Sequence, residues 1–442
     1  MKSFKTQSCI IGKGCDEVAN KRIFLFIVSV IVIISAFILF HSSRSINNTA
    51  TAQDLMMEIV PNSLNVSNAI TDKFIDSTQR FSIELFKNSI KKDENSLISP
   101  ASVFLALGMT ANGAGGETLN SFINALGKHG LTLEELNQGY KAYSDELTQK
   151  RGSTVLNIAN SIWFRDEFTP KAEFLQSNAD YFGAAARKLN FKDKSSVDVI
   201  NNWVKENTNN RIDKIIDKID PDDVMHLINT LYFNAKWQKP FDIRKKASQD
   251  SFYLSNGKTQ TATFMHLTGQ LEYIHAMSAS AVLLPYNDGR LVFLSILPDK
   301  GIKLDEYIKT FDENTISDLM SRRITTEISV TMPKFKTSGD FELKDALKNI
   351  GLGVAFDKNN ADISKMGIIN ERLYISSVKH KTFLQVDELG TEASAVTDVV
   401  VKAAGISMNI QTLVFNRPFV YAIIDTKTNL PLFLGTMENP QG

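Results

Sequence analysis

The sequence predicts an α+β protein. Runs of strand-like composition recur along its second half, segments with helical spacing fall between them, and no internal repeat or proline-rich linker interrupts residues 71 to 442. With 442 residues, 43% hydrophobic and 22% charged, the chain can bury a substantial core, and one large domain over 71–442 is the simplest organisation. The formal net charge is +0. Composition therefore gives no overall pull toward polyanions, and no nucleic-acid partner is expected.

Ahead of that domain, Lys13, Lys21 and Arg22 precede a charge-free apolar run from Ile23 to Phe40. Its 18 residues are just long enough to cross a bilayer, and with only Ser29 and Ser35 as polar positions it lacks the wet stripe of a surface helix. Residues 1–22 are thus expected to form a basic cytoplasmic segment and 23–40 a transmembrane signal anchor. The small-residue pattern Ala50, Thr51, Ala52 keeps a cleaved signal peptide as the alternative. In both cases the basic flank stays inside and the remainder is exported, membrane-anchored or secreted. Cys9 and Cys15 both precede the apolar run. They lack the further Cys or His partners of a zinc site and read as incidental thiols, which leaves the exported part without a disulfide. Residues 41–70, rich in Ser, Asn and Thr, read as a polar linker.

The domain then opens with two helices. Phe74, Phe81 and Leu85 recur at helical spacing, and "ISPASVFLALGM" offers Ser99 as an N-cap with Pro100 at the first helical position. The glycine cluster "NGAGGETLN" (112–120) resembles an anion cradle, but no strand plainly feeds it and no lysine follows in place, so a flexible turn is expected. "VDVINNWVKENTNN" has helical spacing through Val199, Trp203 and Val204, whereas "HLINTLYFNAKW", "LVFLSILP" and "ISVTMPKF" are strand-like. The chain closes with "FVYAIID" and "PLFLGTM" around the polar turn Thr426 to Asn429, a hairpin signal.

One stretch breaks the expectation for a loop. "DELGTEASAVTDVVVKAAG", Asp387 to Gly405, lies between two strand-like segments, yet it contains no proline and alternates like a strand. Thr391, Ala393, Ala395, Thr397, Val399 and Val401 make a small, then apolar, face. Glu392, Ser394, Val396, Asp398, Val400 and Lys402 make a largely wettable one. This is the pattern of a half-buried strand.

Catalytic signatures are sparse. The chain has no G-x-S-x-G elbow, no H-E-x-x-H and no phosphate loop. Its six histidines, His41, His129, His226, His266, His275 and His380, show no ligand spacing, so no metal site is expected and most should be surface or locally hydrogen-bonded residues. Triads are assembled from distant positions, so a hydrolase built from scattered Ser, Asp and His stands as a competing reading.

Five stretches, in order, carry a family resemblance: "NSLISPASVFLALGMTANGAGGET", "LNIANSIWF", "LINTLYFNAKWQKPF", "VKHKTFLQVDELGTEASA" and "VFNRPFVYAIIDTKTNLPLFLGTMENP". Across residues 71–442 the chain resembles a serpin. The resemblance implies three β-sheets with a shell of helices and an exposed reactive-centre loop. It implies no enzyme activity, and a target protease, serine-type with a cysteine-type enzyme as the alternative, as the covalent acyl-enzyme partner. After cleavage the loop would enter the main sheet as a new strand, a form of β-strand addition. A non-inhibitory binding protein of the same fold is the alternative. Fourteen residues from Thr391 to Ala404 would extend about 45 Å at the rise of a strand.

The resemblance also assigns roles. Glu388, Gly390, Thr391, Glu392, Ala393, Ser394 and Ala395 fall at the hinge of the loop, where Gly390 supplies backbone freedom and the others are small or lie on the wettable face. Ser99, Ser102, Asn229 and His380 fall at a buried polar cluster where strands must part, the shutter, and Trp237 falls at the upper opening of the insertion path, the breach. The family's loop length counted from Glu388 puts the scissile bond between Ala404 and Gly405, which suits the shallow pocket of an elastase-like enzyme. Lys402, for a trypsin-like enzyme, and Met408, for a larger apolar pocket, are the alternatives. No cofactor is implied. "ETLNSFINALGK" carries only Lys128, so no heparin site is expected, and the protein is expected to be a monomer.

Overall fold

The computed structural model describes residues 50–66, 68–128, 130–243, 247–391 and 410–441. Between residues 50 and 148 the described chain is mainly helical. It runs from β1 (Gln53–Asp54) through α1 (Asp72–Ser89), β2 (Ser96–Ile98), α2 (Pro100–Ala111), α3 (Gly116–Leu126) and α4 (Leu133–Thr148). There follow β3 (Val155–Arg165), β4 (Thr169–Pro170), α5 (Ala172–Phe182), β5 (Ala185–Leu189), α6 (Ser196–Asn207) and β6 (Met225–Lys236). Strands then dominate: β7 (Ser248–Tyr253), β8 (Thr259–Ala276), β9 (Ala279–Pro285) and β10 (Leu291–Pro298), before the short helices α7 (Leu304–Lys309) and α8 (Thr315–Ser321). The last part comprises β11 (Ile324–Pro333), β12 (Phe335–Glu342), α9 (Lys344–Leu347), β13 (Gly367–Ile368), β14 (Ser377–Val386), β15 (Gly390–Thr391), β16 (Gln411–Val414), β17 (Phe419–Asp425) and β18 (Pro431–Met437).

Local chemistry sets these boundaries. Thr71 caps α1 by accepting from the Phe74 amide, and the helix buries Phe74, Phe81 and Leu85 as its spacing predicts. Ser99 caps α2 with Pro100 in its first turn, and every residue of that helix is buried. Thr132 and Glu135 form a capping box on α4.

Among the described residues the strands make three sheets. A seven-stranded sheet has the order β1-β5-β3-β6-β15-β14-β12, and a nine-stranded one runs β16-β11-β8-β9-β10-β17-β18-β2 with β7 on β8. A two-stranded pair joins β13 to β4. The seven-stranded sheet is covered on both faces. Leu227, Leu231 and Phe233 of β6 join the main core with Phe104 and Leu107 of α2. On the other face, Ile228 and Trp163 pack with Ile200, Trp203 and Val204 of α6. A strand covered on both sides reads as a nearly continuous apolar run, which is why "HLINTLYFNAKW" shows no clean alternation. The closing hairpin forms as expected, with Phe419 opposite Met437.

Three expectations are revised. Residues 50–70 are not simply a tether. Gln53 and Asp54 pair antiparallel with Lys188 and Arg187 of β5, and Asn62 donates through its amide and its side chain to both carboxylate oxygens of Asp180, at 2.7 and 3.0 Å. The physical reason is that β5 would otherwise present an unpaired edge, while Leu55, Met56 and Ile59 are apolar enough to pack against the core beneath it. The glycine cluster is a helix start rather than a loose turn: Gly115 caps α3, and the buried Thr118 accepts from the Asp362 amide at 2.9 Å. Finally, a strand, β2, separates the two opening helices and pairs with β18.

Among the described residues no helix is long and apolar enough to cross a membrane. The run Ile23 to Phe40, with Cys9 and Cys15 before it, lies outside them.

Candidate functional site

The site is the seam between β6 and β14, the two central strands of the seven-stranded sheet. Over its lower half they pair in parallel, from Ser377 opposite His226 to Thr382 opposite Leu231. Above that they part, and β15 fills the opening: Gly390 pairs with Lys236, and Thr391 pairs with both Ala235 and Val386, antiparallel to each strand.

Three adjacent strands carry a polar side chain on the core face of the closed half. On β3 the inward set Leu156, Ile158, Asn160, Ile162, Phe164 is interrupted by Asn160; on β6 it is interrupted by Asn229, and on β14 His380 stands above Val378. Asn160 faces Asn229, and Asn229 faces His380, in register. The side-chain amide of Asn229 donates to Asn160, to the Ser102 carbonyl at 2.8 Å and to Ser102 Oγ at 2.6 Å. His380 Nδ1 lies 2.5 Å from Asn229 Oδ1, while Nε2 accepts from the Ser99 amide at 3.0 Å. These partners fix the tautomer, because Nε2 must be bare to accept and Nδ1 must carry the proton to reach an amide oxygen. Burial lowers the His380 pKa to about 3, its bond to Asn229 acting the other way. The structure thus brings Ser99, Ser102, Asn229 and His380 together. Asn160 was missed by sequence reasoning, although a lone polar residue in an apolar strand face was a usable signal.

At the upper end the chain reverses tightly from β14 into β15. Trp237 Nε1 donates to the Asp387 carbonyl at 2.9 Å, and the Trp237 amide donates to Leu389 O at 3.0 Å. The Phe241 amide reaches Glu388 O at 3.0 Å, and the Asp387 carboxylate accepts from the amides of Leu389 and Gly390 at 2.9 and 3.3 Å. Lys334 Nζ sits 2.6 Å from the Glu388 carboxylate in a partly exposed pair. Such pairs contribute about 0–1 kcal/mol, so the backbone bonds hold the turn.

Gly390 has a different reason from the one expected. Its φ is not in the left-handed region. Instead, a Cβ there would lie 2.1 Å from the Ala235 carbonyl oxygen and 2.8 Å from Lys236 Cα, so only glycine lets the chain lie this close to β6. Thr391, the first member of the small face, is fully buried. Glu392, Ala393, Ser394, Ala395, Lys402, Ala404, Gly405 and Met408 lie outside the described residues.

Of the remaining histidines, His266 bonds Ser248 and Thr331, His275 bonds Ser280, and His226 lies 3.2 Å from Asp223. Among the described residues no group of three His, Cys, Asp or Glu side chains could hold a metal ion.

Comparison with known proteins adds to this geometry. Residues 76–440 match the family model described as Serpin (serine protease inhibitor). An uncharacterized serpin-like protein of Methanosarcina acetivorans is 30% identical over 367 residues, covering 82% of this chain and 85% of that protein. The native-state crystal structure of a thermophilic serpin, tengpin, is 45% identical with a TM-score of 0.83, over 88% of this chain and 100% of that one. Thyroxine-binding globulin in complex with thyroxine shares the fold at 24% identity and a TM-score of 0.75, over 83% of this chain and 99% of that one.

Proposed function

The chain belongs to the serpin family, and from that premise we propose that it is an irreversible suicide-substrate inhibitor of an endopeptidase, with an elastase-like serine protease as its target. The protease nucleophile attacks the Ala404 carbonyl, the peptide bond to Gly405 breaks and the new amine leaves with the C-terminal fragment. The acylated loop then inserts between β6 and β14 before water can hydrolyse the ester. One observation carries this reading. The sheet parts at its upper end, and the residue occupying the gap, Thr391, is the first of the alternating small face that runs on toward residue 401. The lower half is closed by hydrogen bonds that can be exchanged for others.

The membrane-held form is part of the same proposal. Residues 23–40 would anchor the inhibitor with its main domain outside the cytoplasm, acting as a monomer on proteases that reach that surface. Recovery of the full-length chain in the aqueous phase, without detergent, would remove this part.

The test is to mix the protein with elastase-, trypsin- and chymotrypsin-like proteases and with a cysteine protease of small-residue preference. A covalent complex stable to denaturation is expected, with a released fragment beginning at Gly405. Loop-cleaved protein should melt at a much higher temperature than intact protein. Cleavage with no complex and no gain in melting temperature would overturn the inhibitory reading in favour of a binding protein of this fold, and turnover of chromogenic esters would favour a hydrolase.

A further inference from the structure

The residue that holds the hinge inside the seven-stranded sheet comes from the other large sheet. Tyr286 follows β9 and is fully buried. Its ring stacks on Trp237 with centroids 4.7 Å apart and meets Phe233 edge-on at 5.1 Å. Its amide donates to Leu291 O at 3.0 Å, and it forms a β-bridge with Trp237. Backbone and ring are therefore both fixed. The hydroxyl at the end of that rigid arm lies 2.5 Å from Oγ1 of Thr391.

Neither hydroxyl has access to water, since both residues are fully buried. Burial pushes the Tyr286 pKa well above its ordinary value, the Thr391 bond acting the other way, so the contact joins two neutral hydroxyls. We propose that Tyr286 is a positioning residue for loop insertion: by holding Thr391 between β6 and β14 it keeps the hinge seated before the protease cuts, so that insertion starts from an occupied gap. This rests on the inhibitory reading above.

The kinetic logic is a competition. Insertion and hydrolysis both consume the acyl-enzyme, so the share trapped depends on how soon the strand begins to add. A hinge that has swung out must find the opening again before the next residue can follow, and that search is a loop closure with an entropic cost. A seated hinge has already made it. A hydroxyl pair suits the task because removing either partner leaves the other buried and unsatisfied, which favours departure of the hinge, whereas removing both is close to neutral.

That asymmetry defines the experiment. The full-length protein is compared with Tyr286→Phe, Thr391→Val, the double variant and Thr391→Ser. The first readout is amide hydrogen exchange across residues 387–391, and the second is the number of inhibitor molecules consumed per protease trapped. Each of the two single variants should speed hinge exchange by about tenfold and raise the consumption several-fold. The double variant and Thr391→Ser should both return to near the parent values. Unchanged exchange in the single variants would overturn the latch, as would a double variant showing the summed loss of both. Faster exchange with unchanged consumption would overturn its role in insertion. If no form traps any protease, the inhibitory reading fails on its own account, and the exchange data still report whether Tyr286 holds Thr391.

Discussion

Lowering the pH from 7 to 5 is expected to weaken the closed half of the seven-stranded sheet through one residue, His380. In the folded protein its Nε2 accepts from the Ser99 amide and its Nδ1 faces Asn229 Oδ1. A second proton on Nε2 would set two donors head to head between fully buried groups. Burial accordingly lowers the pKa from the ordinary 6.5 to about 3, with a hydrogen bond to Asn229 acting the other way. The sign follows from linkage. A histidine kept neutral in the folded state binds fewer protons than in the unfolded state between these two values, so its full contribution is present above about pH 6.5 and is lost progressively as the pH falls toward about 3. At ~1.4 kcal/mol per unit, the loss between pH 7 and pH 5 is about 2 kcal/mol, against a total stability of roughly 5–15 kcal/mol for a typical protein. The assay is the denaturant midpoint at several pH values for the parent and for His380→Gln, whose amide can accept from Ser99 and donate to Asn229 without titrating. All other groups titrate alike in both, so the parent should lose about 2 kcal/mol more than the variant over this range. Parallel profiles would refute the reasoning.

Three further outcomes follow from the geometry. Gly390→Ala places a methyl 2.1 Å from the Ala235 carbonyl, so the hinge must leave the gap; the variant should become mainly a substrate, read as a rise in cleaved, untrapped inhibitor. Asp180→Ala removes the acceptor for both Asn62 donors and for Gln176; it should lower stability by about 1–3 kcal/mol and speed proteolysis near residue 62. Arg290→Met strands the fully buried Asp425, now held by two guanidinium bonds at 2.6 and 2.5 Å; it should lower stability by about 3–5 kcal/mol, and adding Asp425→Leu should recover most of that, as measured by chemical denaturation.

How far the sequence could be read depended on the range over which each feature is decided. The helix start at Ser99, the apolar spacing Phe74, Phe81 and Leu85 of α1 and the hairpin at 426–429 are set by neighbours in the chain, and local pattern was enough. The strand-like alternation from Thr391 onward was legible, but that β15 already sits in the sheet was not, because Asp387-Glu388-Leu389-Gly390 is a turn whether or not the residue after it enters a sheet; only the parting of β6 from β14 decides that. Residues 50–66 misled for a related reason. Their polar composition describes a segment that cannot fold alone, but an open edge on β5 and a handful of apolar contacts give it a place. Tyr286 carried no signal at all: a tyrosine before an Asn-Asp-Gly turn is ordinary, and its partner lies 105 residues away.

The division of labour along the seam explains why buried polar groups sit where an all-apolar core would bind the sheet more firmly. In the proposed mechanism an incoming strand must replace the parallel pairing of β6 with β14, from Ser377–His226 to Thr382–Leu231, by antiparallel pairing to both. The backbone groups of β6 and β14 lose one partner and gain another in such a step, while the incoming strand adds bonds of its own, so the resistance comes from side chains bridging the two strands. An apolar contact resists parting because it exposes surface; a hydrogen bond between Asn229 and His380 resists only until each finds another partner, and nearby hydroxyls and carbonyls supply several. The same bond therefore closes the sheet at rest and gives way once the hinge at Thr391 starts to advance. If apolar replacement of both Asn229 and His380 raised the melting temperature of the intact protein while leaving protease trapping as efficient as before, this account of the polar seam would be wrong.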